Sequence, residues 1–300
     1  MALGLVAGCD GRTSGPVTDT CRLFFTLDCR GQGCSPGKVL RSALSTNGVL
    51  FSMEPDLWFT RNFLGDPAVR LGADNIWRIT ATDCVSGKCE VLFTSHPETP
   101  YFSDPMTTVV SSDRNAQVPD LLELDGGGWR MFFSMGGGIS SAFSVDGITF
   151  TLEDGVRLAT PVGVPGIADP TVTRRKDGTY VMYFKIISAT PDQEVPPYKG
   201  TPYYHQLFRA TSSDGKNFTN EGVMLVDHAS VPAVYTDQRG TVWIYYLDFS
   251  PPFPTQDESI AVTYEQSDFS LAVPQRIQFT EPLAAGYWTN NPSPLLLPNP

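Results

Sequence analysis

No stretch of this 300-residue chain repeats its apolar residues with the period of a long helix, which argues against bundles and α/β architectures. Basic residues are in deficit. Lys and Arg number 21 against 32 Asp and Glu, giving a formal charge of −11 and a pI near 4.7. That balance disfavours nucleic acid and anionic membrane surfaces as partners and leaves neutral ligands open. Past the N-terminus no run is long enough for a transmembrane helix. There is no Pro/Gly-rich linker: the 25 prolines and 27 glycines are scattered at turn positions. Gly136-Gly137-Gly138 is not a phosphate loop, because it opens no helix. What remains is a 41% apolar chain, enough for a real core, that reads as one all-β domain over 21–300 behind a short leader segment at 1–20.

The strands come in a repeating unit. Ile167 to Leu225 contains a strand opened by Asp169-Pro170, a turn at Asp177-Gly178, an apolar strand from Tyr180 to Ile187, a long insert, a strand from Gln206 to Ser212, and a turn at Asp214-Gly215. Glycine at such turns accepts the positive φ that tight reversals need, so the unit is a four-stranded antiparallel meander. The pattern S-x-[DN]-G-x-x-F occurs at Ser45–Phe51, Ser144–Phe150 and Ser212–Phe218, and decays to Ser267-Asp268-Phe269-Ser270 in the last unit. Five units can be laid out. The first lacks its opening strand, and Asn291 to Leu297 at the other end of the chain is an opening strand without a unit. Joining them closes a ring and removes the exposed sheet edge, which predicts a five-bladed β-propeller of four-stranded blades. A chain cut in the middle of a sixth repeat is the alternative.

Val6-Ala7-Gly8-Cys9 resembles a bacterial lipobox, so Cys9 is a candidate lipid-bearing first residue after a truncated signal; an incidental apolar tail is the other reading. The expected location is outside the cytoplasm, as a periplasmic or cell-surface lipoprotein that touches a membrane only through that anchor. Cys29 and Cys34, and Cys84 and Cys89, are each separated by four residues within polar loops. Both pairs suit local disulfides; zinc is the competing use, disfavoured in an oxidising compartment. Cys21 is left over, or pairs with Cys9 if that residue is not lipidated.

In such a ring the innermost strands begin at the central pocket. The pocket face then receives Asp66, Asp120, Asp169, Ser230 and Asn291, together with both cysteine segments, the insert from Ser188 to Tyr204, the loop Ser250–Glu258, and Tyr287-Trp288. Tyr287 and Trp288 suit stacking on a sugar ring or packing between blades. His205, beside Tyr203 and Tyr204, and His228 are further candidates for lining the pocket, a hydrogen-bonded structural role being the alternative for His205. No metal or cofactor is expected, and the chain is expected to be a monomer.

The order GDPAV, VPDLLELDGGGWRMFFS, ADPTVTRRKDGTYVMYF and SVPAVYTDQRGTVWIYY resembles the five-bladed family-43 glycoside hydrolases, arabinanases and β-xylosidases, and more loosely their levanase and invertase relatives. The resemblance implies Asp66 as general base, Asp120 as a wall residue and Asp169 as the carboxylate that tunes the acid. It also implies a departure. Where that family has Glu-x-Pro for the general acid, this chain has Ser230-Val231-Pro232. Inverting hydrolysis needs two carboxyl groups roughly 6.5–9.5 Å apart, and a serine cannot protonate a leaving group near neutral pH. A substitute would come from Glu194, Glu258, Asp248 or His228. Two functions follow: a hydrolase acting on oligosaccharides or polysaccharides of arabinose or xylose type, or a non-catalytic propeller that binds a glycan or protein on the same face.

Overall fold

The computed structural model describes residues 20–29, 38–55, 59–60, 64–97, 106–188, 204–250, 260–283 and 287–296. These residues form five antiparallel sheets arranged as a five-bladed propeller, with no helix among them. Blade 2 is built from Leu64–Leu71, Trp77–Val85, Lys88–His96 and Thr107–Val110. Blade 3 uses Gln117–Glu123, Trp129–Met135 and Gly138–Ser144, its outer edge shared by the short strands Thr151–Leu152 and Leu158–Ala159. Blade 4 is Gly166–Arg174, Tyr180–Ser188, Tyr204–Ser212 and Thr219–Asp227, and blade 5 is Ala229–Thr236, Val242–Asp248, Ile260–Tyr264 and Gln275–Arg276.

Blade 1 is the composite. Its innermost strand is Tyr287–Leu296, which pairs antiparallel with Cys21–Cys29, with Cys21 opposite Leu296 and Asp28 opposite Trp288. Lys38–Ser45 and Leu50–Met53 complete it. The ring is therefore closed by the C-terminal strand, as the missing opening strand of the first unit required. A second clasp lies outside: Gln278–Phe279 runs parallel to Leu50–Met53 and joins blade 5 to blade 1.

The core lies between blades, because a single twisted sheet has two apolar faces and no partner of its own. Five apolar clusters fill the five junctions. Tyr235, Trp243 and Tyr245 of blade 5 meet Leu23, Phe25 and Phe51 of blade 1, for example, and Phe132 and Ile139 of blade 3 meet Met182, Phe184 and Phe218 of blade 4.

The S-x-[DN]-G turns act as rivets on one face of the ring. In the turn at Ser212, the Ser212 Oγ accepts from the Asp214 and Gly215 amides, and Asp214 Oδ1 accepts from Lys216 and Asn217. The turn at Ser45 repeats this through Asn47, and that at Ser144 through the carboxylate of Asp146. Each turn also offers one carbonyl to the preceding blade. Gly48 O accepts from the Tyr245 hydroxyl (3.0 Å), Gly147 O from Arg78 Nε (2.8 Å), Gly215 O from Arg130 Nη1 (2.8 Å), and Phe269 O, in the decayed copy, from Arg209 Nη1 (2.7 Å). A glutamate three residues after the phenylalanine completes the unit. Glu54 pairs with Arg22, Glu153 with Arg130, and Glu221 with Arg209.

Cys84 and Cys89 form a disulfide, but not across a loop. They are directly opposed on adjacent strands, flanking a tight turn at Ser86-Gly87 whose two residues have φ of 53° and 78°. That pair of positive φ values suits a two-residue hairpin, which puts the cysteines in register. Cys34, the expected partner of Cys29, and Cys9 lie outside the described residues. Cys21 is buried, its Sγ 3.9 Å from the Tyr245 hydroxyl.

Candidate functional site

All five innermost strands break their ladder at the same place, where a residue in the left-handed region precedes a proline. The five are Asp66-Pro67 (φ 51°), Val118-Pro119 (51°), Asp169-Pro170 (54°), Val231-Pro232 (47°) and Asn291-Pro292 (47°). Register shifts sit there in every blade. Proline suits a bulge because it has no N–H to leave unpaired. The residue before it carries strain, about 1–3 kcal/mol for a non-glycine held in such a region, so the surroundings must hold it in place.

They do so through the neighbouring side chains. The amide of Val118 donates to Thr82 Oγ1 (2.9 Å), that of Asp169 to Ser134 Oγ (3.1 Å), that of Val231 to Asp169 Oδ2 (3.1 Å), and that of Asn291 to Asn290 Oδ1 (3.0 Å). A second ring lies one step further in, at the residue after each proline. Asp120 Oδ2 accepts from the Val172 amide of the next blade (2.9 Å), Thr171 Oγ1 from Val234 (3.1 Å), and Ser293 Oγ from Val69 (2.9 Å). Ala68 and Ala233 have no such oxygen, and the residue that Ala233 would serve in the next blade is Pro294, which has no N–H to offer.

This register redistributes the predicted residues. Asp66, Asp169 and Asn291 occupy equivalent places, but in blades 3 and 5 the place belongs to Val118 and Val231. Asp120 lies two residues further along. It is 4% exposed, paired with Arg70 Nη2 at 2.5 Å and bonded to Thr171 Oγ1 at 2.8 Å, so its oxygens serve the joints between three blades. Arg70 also reaches Ser293 Oγ and the Leu121 carbonyl, and it lines the cavity at the centre of the ring. The five X-Pro segments enclose a residual cavity of about 20 Å³.

Ser230 precedes the left-handed residue and turns toward Asp169. Asp169 Oδ2 receives three donors: Lys185 Nζ at 2.7 Å, Ser230 Oγ at 3.1 Å and the Val231 amide at 3.1 Å. The carboxyl is 2% exposed. Burial pushes its pKa up, but the Lys185 ammonium outweighs burial and holds it below the ordinary aspartate value. His205 lies in the same electrostatic neighbourhood, 6.3 Å from the Phe249 ring, and its pKa is held down at about 4, first by burial and then by the Lys185 charge. At neutral pH Asp169 is therefore a carboxylate and His205 an uncharged imidazole. Lys185 escaped the sequence reading because YFKI reads as a strand with one solvent-facing lysine. Only its register opposite Ala168 puts it beside Asp169.

The remaining candidates scatter around this face. Asp66 is partly buried at its left-handed position. His228 begins the approach to blade 5, with Nδ1 3.4 Å from Asp227 and its carbonyl accepting from the Phe249 amide. Asp248 is paired with Arg276 (2.7 Å) and accepts from the Ser250 amide (2.8 Å). Tyr287 and Trp288 open the closing strand, and their side chains, like Glu194 and Glu258, fall outside the described residues. Among the described residues no cluster of His, Cys, Asp and Glu is arranged to hold a metal ion.

No protein-family model and no curated protein sequence matches the chain. Solved structures do. An endo-1,4-β-xylanase from Bacteroides thetaiotaomicron superposes with a TM-score of 0.57 at 11% identity, over 87% of this chain and 94% of the xylanase. The fold is theirs. An endo-arabinase from the same organism gives 0.55 at 17% identity, over 75% and 84% of the two chains. A GH43 protein from Bacillus licheniformis gives 0.56 at 12% identity, over 86% of this chain and 56% of that one. At these identities the likeness establishes a glycoside-hydrolase-like fold, and the site has to be judged on its own residues.

Proposed function

We propose that the pocket face binds neutral glycans of the arabinose or xylose type, and that it does so without the hydrolysis carried out by the family it resembles. One observation carries this reading: Asp169, which the resemblance makes the carboxylate that tunes a general acid, is the buried counter-ion of Lys185 and accepts from Ser230, the residue that the resemblance sets at the acid's position. A serine hydroxyl holds its proton far too tightly to protonate a leaving group at neutral pH. The names of the similar structures, xylanase and arabinase, support a pentose-containing ligand, and the formal charge of −11 disfavours an anionic one. The Cys84–Cys89 disulfide supports work outside the cytoplasm, where the lipobox-like Val6–Cys9 would anchor a monomer.

The test uses the purified protein against arabino- and xylo-oligosaccharides, reading binding by calorimetry and release of reducing ends in parallel. Binding without release is the expected result. Release that Asp66→Asn abolishes would instate the hydrolase, with an acid supplied by Glu194 or Glu258. No binding to any sugar would sink both readings.

A further inference from the structure

Three of the S-x-[DN]-G turns put glycine in the left-handed position, and the decayed copy puts Phe269 there at a φ of 62°. A bulky residue in that region is a true outlier, so the chain accepts backbone strain to keep an aromatic ring where glycine would serve the turn. The ring is 44% exposed. It lines a cavity of about 380 Å³ between blades 4 and 5, on the face opposite the X-Pro segments. That volume falls within the range of small-molecule sites.

The cavity also presents charge. Arg175 is nine-tenths buried, and its guanidinium lies 4.3 Å from the centre of the Phe269 ring. Its Nε and Nη2 donate to Glu265 at 2.7 and 2.5 Å, but its Nη1 has no acceptor among the described residues and is not closed off from solvent. Lys176 comes next in the chain and is exposed. Its stem is laid over Gly240 of blade 5, where an added Cβ would come within 2.6 Å of the lysine Cβ and 3.1 Å of its Cδ. Arg239 lines the same cavity. With Asp177 and Glu265 set against these three, the lining carries one net positive charge in a chain whose formal charge is −11.

We propose that this cavity is a second ligand site, for a ring compound bearing one carboxylate, with the ring against the exposed part of Phe269 and the carboxylate on Arg175 Nη1 and the Lys176 ammonium. An aromatic side chain packs well on another ring, and a guanidinium N–H gives a carboxylate a charge-assisted hydrogen bond. A single negative charge matches the lining. A dianionic phosphate would exceed it, and a cation would meet its own sign. Two sources supply this chemistry, a sugar acid or an aromatic acid. The site lies across the ring from the X-Pro segments and does not depend on the glycan reading.

The experiment titrates glucuronate and benzoate, with glucose and benzyl alcohol as their uncharged counterparts, into the wild-type chain, Phe269→Gly and Lys176→Gln, with a melting curve for each. Saturable one-to-one binding of at least one acid is expected, about tenfold tighter than its uncharged counterpart. Glucuronate then marks a sugar acid and benzoate an aromatic one. Phe269→Gly should weaken that binding by about threefold to tenfold and melt no lower than the parent, because glycine takes the φ of 62° without strain. Lys176→Gln, at an exposed side chain, should weaken it by about two- to fivefold with the melting midpoint unchanged. Parental affinity in Phe269→Gly, or in Lys176→Gln should the glycine variant not fold, would overturn the proposal. So would equal affinity for an acid and its uncharged counterpart, or saturation by neither acid. The arabino- and xylo-oligosaccharide titrations read the other face and stand or fall separately.

Discussion

The two faces of the ring use the same backbone conformation for opposite ends. In the S-x-[DN]-G turns the left-handed position falls to glycine, at Gly48, Gly147 and Gly215, with Phe269 in the decayed copy; at the five X-Pro positions of the pocket face none is glycine. A glycine adopts positive φ without steric cost and exists there to make a turn. An aspartate, asparagine or valine held there is strained, and at Val118, Asp169 and Val231 a side chain of the preceding blade ties down the amide. The difference separates a face that is built from a face that is held. Strained, over-determined positions gather where ligands are bound far more often than where chains merely reverse.

The largest effect expected is the loss of the ring itself. Deleting the last twelve residues removes most of the strand that completes blade 1, and cooperative thermal unfolding should disappear; a truncated chain that melts like the parent would mean that the faces do not depend on closure. Next comes Asp169→Asn. It leaves Lys185 buried without its counter-charge and should cost about 3–5 kcal/mol in denaturant unfolding, most of it recovered in the double variant with Lys185→Met. If the single change is harmless, the pocket face is not held by its ion pair.

Gly147→Ala tests the turn face. A methyl there would meet Arg78 Nη2 at 2.5 Å and Trp129 Cδ1 at 2.6 Å at a φ of 67°, for an expected loss of about 2–4 kcal/mol. Gly163→Ala, at a φ of 89° with nothing within 4 Å, should lose only about 1–2 kcal/mol, the backbone share.

A pH series adds a subtler contrast. His205 titrates near 4 in the fold against an ordinary value of 6.5, so between those values the unfolded chain takes up a proton that the folded one refuses. Stability should therefore fall as the pH drops from about 6.5 to 4, and His205→Gln should flatten that part of the profile. The smallest effect is expected for Val118→Gly. Relief of strain at φ 51° is offset by the entropy glycine loses on folding, leaving a net change within about 1 kcal/mol. A large loss would show that the valine is packed rather than strained.

The blades, the closing strand and the turn signature were legible because each is local: Asp-Gly and Asn-Gly specify reversals, and repetition reveals the unit. The Glu at positions 54, 153 and 221 was equally available, three residues past each phenylalanine, and gains meaning only once the strand pairing puts arginines beside it. The pocket was harder. Aligning it by carboxylates placed Asp120 and Ser230 level with Asp66 and Asp169, whereas the backbone aligns by proline, at 67, 119, 170, 232 and 292. Proline marks the bulge for a steric reason that does not depend on which side chain precedes it. The partnership of Asp169 with Lys185 was not legible at all, because it arises from the register between two strands rather than from spacing along one.

The composite first blade also dictates an order of assembly during synthesis. Blades 2, 3 and 4 have all their strands in sequence and can pair as they leave the ribosome. Cys21–Cys29 emerges first yet waits for Tyr287–Leu296, the last strand described, before its inner edge is covered. The entropy of closing so long a loop grows only logarithmically with its length, but the search for the partner strand is slow. From the synthesis of Cys21–Cys29 until that of Tyr287–Leu296 the nascent chain therefore carries an open β-edge, and anything that keeps that edge unpaired over this interval, such as a chaperone, would govern the yield of folded protein.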